Sequence, residues 1–239
     1  LGESYKRVVQ LASVIGTTFS HDLLSALMDT EEVLAEPLSG LEREGIIERI
    51  SSLEGGQYRF RHQMMREVAY HALLRRDRRR YHGIVARNME KMYKRNPRLH
   101  LASLSYHFYA AQDWEKALTY TLEAAHEARH AYACHEGLTC FNRALDILDK
   151  GSFSGQEETI LRIHEWKGRL HYCVGQLKEA EAAFRTLLKE AQRARHRNME
   201  AEAFFRLGWI SFYEHHPRAA QRYLGRAVDV CKARKIHDT

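Results

Sequence analysis

Two stretches of this sequence, WKGRLHYCVGQLKEAEAAFRTLL (166–188) and FRLGWISFYEHHPRAAQRYLGRAV (205–228), superpose with a shift of 40 residues. Gly168 then matches Gly208, Ala180 matches Ala220, and Phe184 matches Leu224. A unit repeated at such a spacing cannot bury its apolar face alone. It must stack on its neighbours, which restricts this part of the chain to an array of like units. Weaker copies lie earlier: EGLTCFNRALDIL (136–148) keeps Gly137, Phe141 and Ala144, and DWEKALTYTLEAA (113–125) keeps Ala117. Ala, Leu, Glu and Arg abound, and 239 residues hold only 3 prolines, so the units read as helices. A small residue in the first helix facing a small residue in the second is expected to close each pair into a tight hairpin.

A small residue near the turn with an aromatic four positions later resembles tetratricopeptide repeats. Their usual period is about 34 residues, so a spacing of 40 predicts longer helices or longer loops. The resemblance implies an α-solenoid whose concave face binds a protein, peptide or small-molecule effector. Trp114, Trp166 and Trp209 recur near the starts or middles of the repeat helices and read as packing residues.

The first 80 residues follow another plan. Tyr5, Val8, Val9, Leu11 and Ala12 fall at helical spacing, and Gly16 ends the pattern. Ser20 can cap a second helix carrying Leu23, Leu24 and Leu27, and Thr30 can cap a third, with Glu31 and Glu32 at its positive end. Val33, Leu34, Leu38 and Leu41 form the stripe of that third helix; Gly45 stops it, and Pro37 predicts a kink or split. IIERI (46–50) and YRFRH (58–62) flank a Gly55-Gly56 turn and predict a two-stranded hairpin. Three helices followed by such a wing are the plan of a winged-helix domain. Helix 63–74 then places Met64, Val68, Ala69 and Leu73 on one face, which reads as a core stripe. Asn96-Pro97 breaks the chain before the repeats.

The net charge of +6 is concentrated in one place. Residues 58–95 carry 12 Lys/Arg against 3 Asp/Glu, a net +9, leaving −3 for the remainder. Within this segment RRDRRR (Arg75, Arg76, Arg78, Arg79, Arg80) invites a nucleic-acid reading. Two other readings compete with it: a solvated helix end whose cations suit the C-terminal dipole, and a basic surface that meets another domain. The expected third helix, EEVLAEPLSGLERE (31–44), is acidic where a DNA-reading helix would be basic, which argues against nucleic acid.

FRHQMMREVAYHALLRRDRRRYH, preceded by LASVIGTTFSHDLLSAL and LEREGIIER, resembles the winged-helix segment of STAND-class signalling ATPases. More narrowly, it is similar to the large bacterial regulators in which an AAA-type ATPase module precedes helical repeats. Many of these carry a cyclase, kinase or LuxR-type output domain elsewhere. The resemblance covers about residues 5–150. It implies a regulatory, sensor-bearing stretch of a multidomain ATPase, with ATP/ADP and Mg held by the ATPase module and that module as an intramolecular partner. In such proteins a histidine of an MHD-type motif at this junction contacts bound ADP. On that template His62 takes the histidine position, Arg61 stands where the family has Met, and Gln63 where it has Asp.

No G-x-x-x-x-G-K-[ST], G-x-G-x-x-G or G-x-S-x-G occurs, so the chain itself is expected to be non-catalytic and to hold no cofactor of its own. His126, His130, Cys134 and His135 cluster in sequence without a second Cys/His pair, and no metal is expected there. No apolar run approaches a membrane span. Four cysteines without paired spacing read as reduced thiols of a cytoplasmic protein. The chain has no starting Met and reads as a fragment of a longer protein. The expected organisation is a mostly α chain: a winged helix with a short β-hairpin (1–80), a basic connecting helix and linker (81–97), and a tetratricopeptide-like α-solenoid (98–239). Two alternatives stay open, part of a DNA-binding transcription regulator and a non-switching interaction scaffold.

Overall fold

The computed structural model describes residues 2–28, 34–51 and 56–235. These divide into two compact units, 1–120 and 121–239. The fold is mostly α: a winged helix with a short β-hairpin, followed along the chain by tetratricopeptide-like hairpins.

The first unit opens with α1 (Glu3–Ile15), which buries Val8, Leu11, Ala12 and Val14. Strand β1 (Thr18–Ser20) leads into the short α2 (His21–Ser25), and Ser20 caps it as expected, its Oγ accepting from the Leu23 N–H at 3.2 Å. α3 (Ala35–Arg43) buries Leu38 and Leu41. Pro37 causes no kink in it, because the proline sits in the first turn, where the backbone N–H has no intrahelical partner to lose. The proposed Thr30 cap lies outside the described residues, as does Gly55. Gly45, at φ +69°, ends the helix in the left-handed conformation that suits glycine.

The wing holds one more strand than the sequence suggested. β2 (Ile47–Ser51) and β3 (Gln57–Phe60) form the hairpin, and β1 pairs antiparallel with the other edge of β3. Three residues are too short to show a strand periodicity. What holds β1 is the Phe19–Tyr58 cross-strand pair, stacked at 5.7 Å, with Phe60 tilted against the same ring. α4 (Gln63–His71), α5 (Arg75–Met92) and α6 (Leu101–Ala111) complete the unit, and Asn96-Pro97 starts a 3-10 turn between the last two. The arginine run therefore opens a helix rather than ending one. Cations at a helix N-terminus oppose the dipole, so these side chains need other partners.

The second unit explains the spacing of 40. α7 (Trp114–His130), which crosses from the first unit, α8 (Cys134–Lys150), α9 (Glu157–Cys173), α10 (Leu177–Arg193) and α11 (Arg197–Tyr213) each run 17 residues. α12 (Pro217–Lys235) runs 19. The extra length over the common repeat lies in the helices, since the connections 174–176, 194–196 and 214–216 are three residues each. Every one of these turns has the same geometry. A left-handed residue (Gly175, Arg195 or His215) is followed by an N–H that reaches back five residues: Gln176 to His171, His196 to Ala191, His216 to Ser211.

Between the helices, the glycines do something other than face small residues. A Cβ on Gly168 would lie 2.6 Å from the Phe184 ring, and one on Gly208 would lie 2.8 Å from Cγ of Leu224. Each glycine is thus the socket for the large residue of the partner helix, while Ala180 and Ala220 are buried without facing it. Phe184, Leu187 and Ala191 of α10 join Leu161 of α9 and Met199, Ala203 and Leu207 of α11 in one apolar core. Among the described residues no helix is long and apolar enough to cross a membrane, and all four cysteines are free thiols.

Two glycine substitutions separate backbone strain from packing. Gly175, at φ +78°, has open space around it, so Gly175→Ala should cost about 1 kcal/mol from the left-handed backbone alone. Gly168→Ala drives a methyl into the Phe184 ring and should cost about 1–3 kcal/mol, and a second change, Phe184→Leu, should recover part of it. Urea unfolding monitored by circular dichroism reads both.

Candidate functional site

The junction after the wing gathers the residues that the sequence singled out. The Arg61 N–H donates to the Ile46 carbonyl at 3.0 Å, carrying the strand ladder one step past Phe60. Its guanidinium lies beside Gly45, where an added Cβ would come within 3.1 Å of Nη1. His62 follows in extended backbone (φ −131°, ψ 130°) as the N-cap residue of α4. Its carbonyl accepts from the Met65 N–H, its ring makes no capping bond, and the residue is exposed. A ring at this position stands beside unpaired first-turn N–H groups, which favour an anion.

The arginines divide by what they touch. Arg78 lies over the Tyr70 ring at 5.0 Å, and Arg79 Nε donates to the Ala111 carbonyl at 3.0 Å. Arg80 lies over the Tyr81 ring at 5.8 Å. Arg75 and Arg76 are exposed, with Arg76 3.9 Å from Asp77. Aromatic faces and a helix-end carbonyl thus supply the partners that the dipole of α5 denies. Arg75 and Arg76 remain as outward charge; Arg78 and Arg79 are tied into the unit.

Helix α4 is not the core stripe expected. Of its apolar residues only Ala69 is buried; Met64 is 75% exposed and Val68 68%. Its inward side carries Arg66 and Tyr70 instead. Arg66 Nε donates to the Ser13 carbonyl of α1 at 3.0 Å, and the Tyr70 hydroxyl meets His82 Nε2 of α5 at 2.9 Å. His82 Nδ1 in turn meets His107 Nδ1 of α6 at 2.9 Å, and His107 hydrogen bonds to the backbone of Ile15.

This chain of groups fixes its own protons. A bond to a backbone carbonyl needs a donor, and Nδ1 of His107 is already engaged, so Nε2 carries the proton towards Ile15. Nδ1 of His107 must then accept, which makes His82 Nδ1 the donor and leaves His82 Nε2 to accept from Tyr70. Every group is satisfied only while both rings are neutral. Burial, the neighbouring His107 and the charges of Arg66 and Arg78 push His82 down to about 3. Burial likewise pushes His107 down to about 4, against the opposing effect of the Ile15 carbonyl and with that of Arg66. Burial also raises Tyr70, helped by Tyr106 and opposed by Arg78. Neither histidine stands out in the sequence. The signal was there in a polar position at helical spacing among Gly83, Val85, Ala86 and Met89, but a period count of apolar residues passes over it.

In the second unit, α11 presents an aromatic face: Phe205, Trp209, Phe212 and Tyr213 are exposed and in ring contact, and Tyr172 of α9 meets Tyr213 edge-on at 6.1 Å. Trp209, expected to pack, is 40% exposed and belongs to this face. Beside it Arg169 bridges Glu165 and Glu202 at 2.7 Å each, and Arg206 reaches Glu202 at 2.8 Å. Burial opposes the charge of Glu202, but the two guanidinium groups hold its carboxyl below the ordinary value. Arg129, at 4.0 Å, and Arg169, at 4.8 Å, both lie over the Trp166 ring. His126 and His130 lie 3.0 Å apart through their Nε2 atoms, and among the described residues no three His, Cys, Asp or Glu side chains gather as a metal site.

No protein-family model matches this chain, and no curated protein matches it. Among solved structures it is similar to a signal transduction ATPase with numerous domains (STAND) protein with a tetratricopeptide repeat sensor from Pyrococcus horikoshii. The identity is 14% and the TM-score 0.42, over 99% of this chain and 45% of that one. This chain thus spans less than half the length of that protein.

The paired histidines set a pH dependence. Unfolded, both rings protonate near pH 6.5; folded, they stay neutral until about 4 and 3. The unfolded state therefore binds more protons between those limits, and stability falls as pH drops from 6.5 towards 4. By pH 5 the loss should be about 2 kcal/mol per ring. Urea unfolding at pH 7 and pH 5, where most carboxylates are still ionised, should show it; equal stability at the two values would sink the neutral-pair assignment.

Proposed function

We propose that this chain is the regulatory and sensor part of a multidomain signal-transduction ATPase. In this reading the winged helix couples the nucleotide state of an ATPase module to the repeats, and the repeats bind a protein, peptide or small-molecule effector. The observation that carries it is the junction after the wing, where an exposed histidine and an arginine are held on backbone fixed by the strand ladder and the start of α4. The sequence resemblance around FRHQMMREVAYHALLRRDRRRYH supports it, as does the order of a winged helix and then tetratricopeptide-like hairpins.

The resemblance places an ATPase module ahead of the winged helix, and ATP/ADP and Mg belong to that module. From this chain His62 is the group offered to a phosphate, and Arg61 anchors the backbone that presents it. Of the basic run, Arg75, Arg76 and Arg80 supply the surface facing the module, with Arg78 and Arg79 tied in behind them. The aromatic face of α11 and the Arg169–Glu202–Arg206 cluster beside it are the sensor surface. An effector that prefers one arrangement of the repeats shifts the nucleotide-bound resting state only by its differential affinity for the two arrangements.

The test uses the full-length protein. His62→Ala should speed ADP release at least tenfold and raise basal output, while Arg80→Ala, a change on the basic surface away from the junction histidine, should alter ADP release less. Unchanged ADP retention and unchanged output in His62→Ala would remove the nucleotide-sensing role.

A further inference from the structure

The outward side of α4 forms a groove with α1. Met64, Met65, Val68 and the C-cap Ala72 of α4 line one wall, Val9 of α1 lines the other, and Ile46 adds to the lining, around a volume of about 470 Å³. Nearly all of this lining is apolar. Two exposed methionines and a valine side by side are a large apolar patch for a monomer surface, and methionine adapts its shape to differing partners. The patch does not arise from poor packing. α4 is held by the opposite side, through Arg66 and Tyr70, so Met64 and Val68 are turned outward by well-made bonds.

Positive charge outweighs negative around this groove. Lys6 lines its edge on α1, Arg61 lies against Gly45 next to Ile46, and Arg75 and Arg76 follow directly after the Ala72 end. From 61 to 80 the sequence holds seven arginines against Glu67 and Asp77. Of these two acids, Glu67 accepts from Gln63 and Asp77 sits beside Arg76. From Met64 to Ala72 the wall is about 12 Å long at 1.5 Å per residue, which matches two turns of a helix. Helical walls with apolar rows receive the apolar stripe of an amphipathic helix.

We propose that the α1–α4 groove is the docking site of an acidic amphipathic helix from a protein partner. Two or three apolar residues at i, i+4 and i+7 would enter between Val9, Met64 and Val68. Carboxylates flanking that stripe would meet Lys6, Arg75 and Arg76. This inference shares Arg75 and Arg76 with the basic surface of the ATPase reading, but it rests on the groove and its charge, and its test reads peptide binding rather than nucleotide release.

The probe is a designed 18-residue helical peptide carrying a fluorescent label, with leucines at i, i+4, i+7 and i+11 and glutamates around them. Its counterpart keeps the leucines and carries lysines. Anisotropy titrations with the full chain should show the glutamate peptide binding at least tenfold more tightly than the lysine peptide, and weakening as salt rises. Val68→Glu should weaken it tenfold or more, and Arg75→Glu with Arg76→Glu should do the same. These side chains are exposed, so circular dichroism should show all variants folded. Equal binding of the two peptides, no binding of either, or binding unchanged in Val68→Glu would overturn the proposal. So would light scattering showing that the groove is instead buried in a homodimer that Val68→Glu dissociates.

Discussion

The rotational setting of α4 governs most of what the first unit can do, and the Tyr70–His82–His107–Ile15 chain fixes that setting. With about 100° per residue, Tyr70 and Val68 point some 200° apart on one helix. Once the tyrosine is bonded inward to His82, the valine must face out. The same contact orders α5, whose Arg78 lies on the tyrosine ring, and α6, whose His107 ends the chain against α1. Four helices are thereby joined through groups that tolerate only the neutral state. A buried polar network of this kind is costly when half-satisfied, so it holds the helices in one arrangement rather than several.

Much of the fold could be read from the sequence because it rests on short-range chemistry. Ser20 caps α2, Gly45 ends α3, Asn96-Pro97 interrupts the helices, and the repeat of 40 appears as equal helices with equal turns. Each of these features is decided within a few residues. The failures have a common origin in contacts that are not local. The β1 strand exists because Phe19 finds Tyr58, thirty-nine positions away. The stripe Met64–Val68–Ala69–Leu73 looked like core because apolar residues usually go inside, yet a tyrosine and an arginine with well-placed partners took the inward side. The repeat glycines were visible, but what they receive was not. Spacing shows that space is needed and leaves open whether Phe184 or Ala180 fills it.

The candidate site divides in the same way. His62 and the arginines were legible as positions, through their place after the wing and their charge. Their surroundings were not, because the start of α5 decides which arginines turn inward. Arg78 and Arg79 stabilise a helix N-terminus that their own charges disfavour, by borrowing a ring and a carbonyl from neighbouring elements. The buried histidines carried no motif at all and became visible only as a pair.

The equal turns that follow α9, α10 and α11 bear on how such a chain can change. One residue more in α10 would rotate everything after it by about 100° and move Ala191 off the core that it shares with Met199 and Ala203. One residue more in a three-residue turn would break the backward N–H bond that closes it. Small insertions are thus filtered out at both places, while gain or loss of a whole hairpin preserves every contact type. The array is digital in its length: it can be rewritten only in steps of one unit.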